Sequence, residues 1–245
     1  MSFRSLTTRT PDGITNATEQ QTMGNSGVPD PTWSHIYADD FDDYTASDFT
    51  ITTVQAVTPP TEALTPFNGG ALLVTTNTGA SDAAYFQKPV AGFQLTAGKA
   101  AFLKFAGQLS DVVNSVFYFG LLETTTTPLA PTDGIYISKA NGAGTLTLNS
   151  MVGSALTSVA IPGTEVLVNG TSFELGIEVD VLGNVAAYFN PTTGRNVRNV
   201  SGGRVAVLAT PGLTTALLNP SFGMENTTAA SRSLTIDYIV ASVER

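Results

Sequence analysis

The sequence predicts an all-β protein: a two-sheet antiparallel sandwich carrying an extended N-terminal arm. Three observations lead there. Short runs that alternate apolar and polar residues follow one another from residue 33 to the end, and none has the apolar spacing of a helix. Clusters of Gly, Asn and Pro separate these runs about every 8 to 12 residues, the rhythm of a sandwich rather than of a repeat array. Charged residues make up only 13% of the chain, so Thr, Ser, Asn and Gln must supply the solvent faces, as strands favour.

Residues 1–32, "MSFRSLTTRTPDGITNATEQQTMGNSGVPDPT", show neither period and form the arm. Their apolar residues Phe3, Leu6, Ile14, Met23 and Val28 are too sparse for a core. One reading is a leader without order of its own. The other is an arm that orders on a partner, with those side chains as anchors and Arg4 and Arg9 meeting an acidic neighbour. Residues 33–245 form the sandwich domain, with no internal repeat and no linker.

Within the domain, "FTITTVQAV" (49–57) alternates, and "GGALLVTTNT" (69–78) and "AAYFQKPV" (83–90) flank the turn at Gly79–Asp82. "KAAFLKFAGQL" (99–109) leads to "SVFYFGLLET" (115–124), whose near-continuous apolar run predicts a central strand buried on both faces. "GIYISKA" (134–140) and "TLTLNSMVG" (145–153) flank Asn141-Gly142, a strong hairpin signal. "ALTSVAIP" (155–162), "GRVAVLA" (203–209), "SFGMEN" (221–226) and "SLTIDYIVASVE" (233–244) supply the remaining strands.

The stretch "FELGIEVDVLGNVAAYFNP" (173–191) reads as another hairpin, turning through Gly183 and Asn184. Alternation puts Phe173, Leu175, Ile177 and Val179 on one face and Glu174, Gly176, Glu178 and Asp180 on the other. The acids are expected on the wet side. By the same alternation, Asp237 shares a face with Thr235 and Ile239, opposite Ile236 and Tyr238.

Several functions are excluded by composition. A net charge of −9 with four lysines and no basic run argues against nucleic-acid binding. There is no cysteine for disulfide or thiolate chemistry, and a single histidine, His35, leaves little for a serine-type triad. No run approaches the roughly 18 apolar residues of a membrane span. The N-terminus lacks a secretory apolar core, so synthesis in the cytoplasm without export is expected.

Three segments remain as candidate sites. "DDFDDY" offers Asp39, Asp40 and Asp42 as ligands for Ca²⁺, a hard cation that takes six to eight oxygens, although the spacing is not that of an EF-hand. If this segment is extended, Asp40 and Asp42 share one face, and Asp39, Phe41 and Asp43 the other. No other cofactor is expected. The Gly/Asn-rich loop at 190–204 gathers Arg195, Arg198 and Arg204, which either bind an acidic neighbour or a phosphate or simply solubilise the surface. The Thr/Pro stretch at 120–134, stiffened by Pro128 and Pro131, is either a contact loop or a connector.

"YADDFDDYTASDFTITT" near the start and "SLTIDYIVASVER" at the end resemble the first and last strands of concanavalin A-like jelly rolls. "FELGIEVDVLGNVAAYFN" is similar to a hairpin phrase common in that fold. The resemblance covers residues 37–245 and implies that the terminal strands pair in one sheet. Enzymes of that superfamily carry Glu-x-Asp-x-Glu, or a version one residue longer, with two carboxylates about 5 Å apart as nucleophile and acid. Glu178-Val179-Asp180 match the first two members, but Leu182 and Gly183 stand where the third belongs. On this basis the acids are expected to be a solvent face and the chain not to be an enzyme.

A Thr/Ala/Gly-rich, Lys-poor, Cys-free chain with an arm before a jelly roll also resembles the capsid decoration (cement) proteins of tailed bacteriophages. That resemblance implies a non-enzymatic structural protein on the outer capsid surface of a virion. Its partner would be the major capsid protein, held through Phe3, Arg4, Leu6, Arg9, Ile14 and Met23 of the arm and Arg195 and Arg198 of the loop. Self-association, as a trimer in many such proteins, would accompany it, with neither nucleic acid nor membrane as a partner. The alternative is a carbohydrate- or receptor-binding module of a tail fibre, or a lectin-like domain.

Overall fold

The structure, a computed structural model, describes residues 34–55, 58–66, 70–142, 144–162, 166–190 and 204–245. Among these, sixteen strands form two antiparallel sheets, and the only helical element is a 3-10 turn at Ala46–Asp48. The strands are β1 (Ser34–Asp39), β2 (Thr50–Val54), β3 (Thr61–Leu64), β4 (Leu72–Thr75), β5 (Ala83–Gln87), β6 (Phe93–Gln94), β7 (Ala101–Leu109) and β8 (Ser115–Leu122). They continue with β9 (Gly134–Lys139), β10 (Leu146–Val152), β11 (Ala155–Ala160), β12 (Ser172–Val179), β13 (Val185–Asn190), β14 (Ala206–Leu208), β15 (Leu217–Asn226) and β16 (Ser233–Glu244).

The first sheet runs β14-β13-β12-β7-β16-β4-β3, with β1 also on β16. The second runs β11-β10-β9-β8-β15-β5-β2, with β6 also on β15. The predicted all-β sandwich is therefore what forms. The terminal strands do pair, Ser34 opposite Glu244 through Asp39 opposite Ile239. β16 thus holds β7 along one side and divides the other between β4 and β1.

The core lies between the sheets. Phe222 of β15, fully buried, stacks on Phe86 with ring centroids 5.0 Å apart and meets Phe49 edge-on at 5.6 Å. It also reaches Phe105 of β7 at 6.1 Å, so one ring touches both sheets. β8 is buried along nearly its whole length, as its apolar run predicts. The reason is a second, smaller core. Tyr85, Tyr118, Tyr136 and Leu122 cluster on the far side of the second sheet, with Leu129 packed against them. The Thr/Pro stretch is therefore a cover for this sheet. Pro128 and Pro131 are buried, and Gln87 accepts from the Thr125 N–H at 3.0 Å and donates to the Glu123 carbonyl at 2.9 Å.

Three local features depart from the sequence reading. β3 and β6 were not expected, since prolines crowd the first and the second has only two residues. β15 begins at Leu217 rather than Ser221 and passes through Pro220. That proline falls where β15 changes neighbour, between β6 at Leu217–Leu218 and β5 from Ser221 on, so its missing N–H costs the ladder nothing on that side. In β16 a register shift between Ile236 and Tyr238 breaks the alternation at Asp237. Ile236 and Ile239, three residues apart, both enter the core as a result.

Candidate functional site

The "DDFDDY" segment does not run on as a strand. β1 stops at Asp39, and Phe41 takes a positive φ of 53°, rare for a bulky residue, which swings its ring into the core against Phe49 and Phe222. Gly70 makes room for it: a Cβ there would lie 2.3 Å from the Phe41 carbonyl oxygen. The alternation expected here is thereby overturned, because Phe41 points inward while Asp40, Asp42 and Asp43 are exposed. Asp39 spends its carboxylate within the chain, accepting from the Phe41 N–H at 3.0 Å and from the Tyr37 hydroxyl at 2.9 Å. Asp39, Asp40 and Asp42 are not brought together, and among the described residues no three His, Cys, Asp or Glu side chains are grouped to hold a metal.

The arm residues Phe3, Arg4, Leu6, Arg9, Ile14 and Met23, and the loop residues Arg195 and Arg198, lie outside the described residues. Arg204 is described, and it meets acids of its own chain.

Among the described residues, the acid row forms an organised polar cluster on the first sheet. β12 turns Phe173, Leu175, Ile177 and Val179 into the core, which leaves Glu174, Gly176 and Glu178 on the outward face of the first sheet. Register sets their neighbours. Glu174, Ala106 and Tyr238 stand in one row across β12, β7 and β16. Tyr188, Gly176, Lys104 and Val240 stand in the next, starting from β13. Ala186, Glu178, Phe102 and Ser242 form the third.

These rows explain the contacts. Tyr238 donates to Glu174 at 3.1 Å, reaching across β7 over the small Ala106. Tyr188 donates to Glu178 along the diagonal between neighbouring strands. Arg204 lies 3.4 Å from the Glu178 carboxylate and donates to the Tyr188 hydroxyl at 3.3 Å. Gly176, buried and without a side chain, stands between the two pairs, flanked in register by Tyr188 and Lys104. Glu174 and Glu178 are four residues apart on a strand, roughly 13 Å between Cα atoms, and their hydrogen bonds turn to opposite sides.

The row is half-buried rather than wet, which corrects the expectation of a plain solvent face. Burial first, and Glu174 second, keep the Tyr238 hydroxyl protonated well above the ordinary phenol range. Burial and then the Glu178 hydrogen bond push Tyr188 up to about 12. Burial also lowers the Lys104 ammonium, with the Glu174 carboxylate opposing it. Asp180 does not belong to the row. It lies past the end of β12 and caps the turn, accepting from the N–H groups of Leu182 and Asn184, both at 2.9 Å. Burial works against its ionisation, but the Asn184 hydrogen bonds hold its carboxyl below the usual range.

Sequence spacing located Glu174 and Glu178 but missed Tyr238 and Lys104, because nothing local places residues 64 positions apart in one register row.

No protein-family model matches the sequence, and no curated protein does. Solved structures do match. An endo-1,3-β-glucanase from Streptomyces sioyaensis is similar at TM-score 0.56 and 13% identity, over 89% of this chain and 99% of that one. An endo-β-1,4-glucuronan lyase from the fungus Trichoderma reesei is similar at TM-score 0.50 and 14% identity, over 84% and 94%. Peanut lectin is similar at TM-score 0.51 and 10% identity, over 86% and 97%. Two of the three are named as enzymes, which corrects the expectation that the chain is not one: this fold carries catalysts as well as lectins, and at such low identity it decides neither. What the likeness establishes is architecture. The chain is a concanavalin A-like jelly-roll β-sandwich.

Proposed function

We propose that the outward face of the first sheet is a carbohydrate-binding surface. The observation that carries this reading is the pair of tyrosine-held carboxylates on either side of Gly176. Sugars present vicinal hydroxyls that a carboxylate accepts, over a floor that must be apolar without being deep. Here Glu174 and Glu178 are already fixed by Tyr238 and Tyr188, so little rotamer freedom remains to be lost on binding. Phe102, half-buried beside Glu178 in the register row, supplies an apolar surface, while Lys104 and Arg204 add donors at the sides. The fold shared with a lectin and with polysaccharide-acting enzymes supports the reading in general terms.

A glycan array followed by titration tests it. A neutral oligosaccharide is expected to bind the full chain, and Glu178→Gln to weaken that binding about tenfold, the loss of one charge-assisted hydrogen bond. If no glycan binds, or if Glu178→Gln binds equally well, the reading is wrong. Reducing ends measured in the same samples decide whether the bound sugar is also cut.

A second reading, capsid decoration, is favoured by residues 1–32, a polar stretch whose isolated apolar residues suit anchoring on another protein. In it the major capsid protein is the partner. Deleting residues 1–32 is then expected to leave a folded domain that no longer co-sediments with capsids. Co-sedimentation of the shortened chain would end this reading.

A further inference from the structure

β1 and β4 share one side of β16 but are held to the domain in different ways. β4 sends Leu72 and Val74 into the core, both fully buried. None of the six β1 residues is fully buried, and among the described residues β16 is its only strand neighbour. Two of its rings reach toward the second sheet. His35 lies against Phe93 with ring centroids 4.5 Å apart, and Tyr37 packs partly buried at the edge of the core.

One cation closes over Tyr37. Lys88 follows directly on β5 of the second sheet, where its N–H donates to the Pro220 carbonyl at 3.1 Å. Its ammonium stands 4.7 Å from the Tyr37 centroid and 4.7 Å from that of Phe49, the buried residue just before β2. Ring faces attract such a charge, most strongly where water is partly excluded. Here one ring belongs to the first sheet and the other leads into the second. From residue 34 to residue 98 the chain has no other Lys or Arg to take its place. The far end of β1 is fixed. Two residues past it, Phe41 lies fully buried at a φ of 53°, and Asp39 accepts from its N–H at 3.0 Å.

We propose that β1 is a hinged strap: it pivots at Phe41, is latched shut at Tyr37 by the Lys88 ammonium, and opens without the rest of the sandwich. Segments with few buried apolar contacts open at well below the free energy of global unfolding. Opening frees the side of β16 from Ile239 to Glu244, which pairs with β1 alone. The latch makes that opening depend on a single charge. This inference does not rest on the carbohydrate reading.

Hydrogen exchange of the full chain at constant pH tests it. The protected amides of β1 are expected to exchange far faster than those of β8, which is buried along nearly its whole length. Lys88→Met, which keeps the stem and removes the charge, is expected to speed β1 exchange about tenfold and leave β8 unchanged. Lys88→Arg, still a cation over the rings, is expected to keep the wild-type rates. In a Tyr37→Leu background, Lys88→Met is expected to add nothing, because the two residues act as one contact. The proposal fails if β1 and β8 exchange together in the wild type, or if Lys88→Met leaves β1 unchanged. It fails equally if that variant speeds both strands alike, or if its effect persists in full without Tyr37.

Discussion

Replacing Phe222 with Ala is expected to destabilise the domain by about 3–5 kcal/mol, the range for removing a fully buried aromatic side chain. The position is severe because Phe222 is one of the rings that join the two sheets: it meets Phe41, Phe49 and Phe86 as well as Phe105 across the layer. Truncation leaves a void between rigid strands that cannot close without shifting a register. In a domain of this size about 2–4 °C of melting temperature goes with each kcal/mol, so the melt should fall by roughly 6–20 °C. Urea denaturation checks the size of the effect. A loss below about 1 kcal/mol would show that the rings repack around the gap.

The second large effect is a dependence on pH that comes from Lys139. This lysine follows Ile135 and Ile137 on the inward face of β9 and is fully buried. Its ammonium donates to the Ser115 carbonyl. Burial lowers its pKa to about 8, with Asp111 working in the opposite sense. In the unfolded chain the same group titrates near 10.4. Between those values the unfolded state binds more protons than the folded one, so stability rises with pH, by about 3 kcal/mol if the interval is crossed in full. Lys104, also lowered, adds to the rise.

The tyrosines act in the other direction. Burial raises Tyr85, Tyr118, Tyr188 and Tyr238, so above about pH 10 it is the folded state that keeps the extra protons, and stability falls. Stability should therefore climb from neutral pH to a maximum between about pH 9 and 10. Lys139→Met, which keeps the volume and removes the charge, should flatten most of that climb. Denaturation at a series of pH values decides it: a wild-type curve that is level from pH 7.5 to 9.5 would contradict the assignment.

The fold was legible where chemistry is local. Asn141-Gly142 and Gly183-Asn184 announced their hairpins, and the apolar run at 115–122 announced a strand covered on both faces. It was not legible where a distant residue decides. Nothing in "DDFDDY" reveals that Gly70, twenty-nine positions on, leaves room for Phe41 to turn inward. The alternation of "TIDYIV" hides the irregularity at Asp237, because its effect appears only when Ile236 and Ile239 are both required by the core. The Thr/Pro stretch reads only as a stiff contact loop or connector, since the tyrosines that it covers come from three separate strands. For the site, sequence supplied the carboxylates and register supplied their partners: Glu178 finds Tyr188 within one hairpin, but Glu174 finds Tyr238 only after β7 has placed Ala106 between them.

β16 has a consequence for how the molecule is made. Its twelve residues join β7, β4 and β1 into one layer, and they follow all three in sequence. A nascent polypeptide still on the ribosome, with residues 233–244 not yet emerged, holds three strands that have no common neighbour. Such contacts between early and late segments form slowly. Assembly of this layer therefore waits for residues 233–244, and until they are in place β1, β4 and β7 have no shared neighbour to close on.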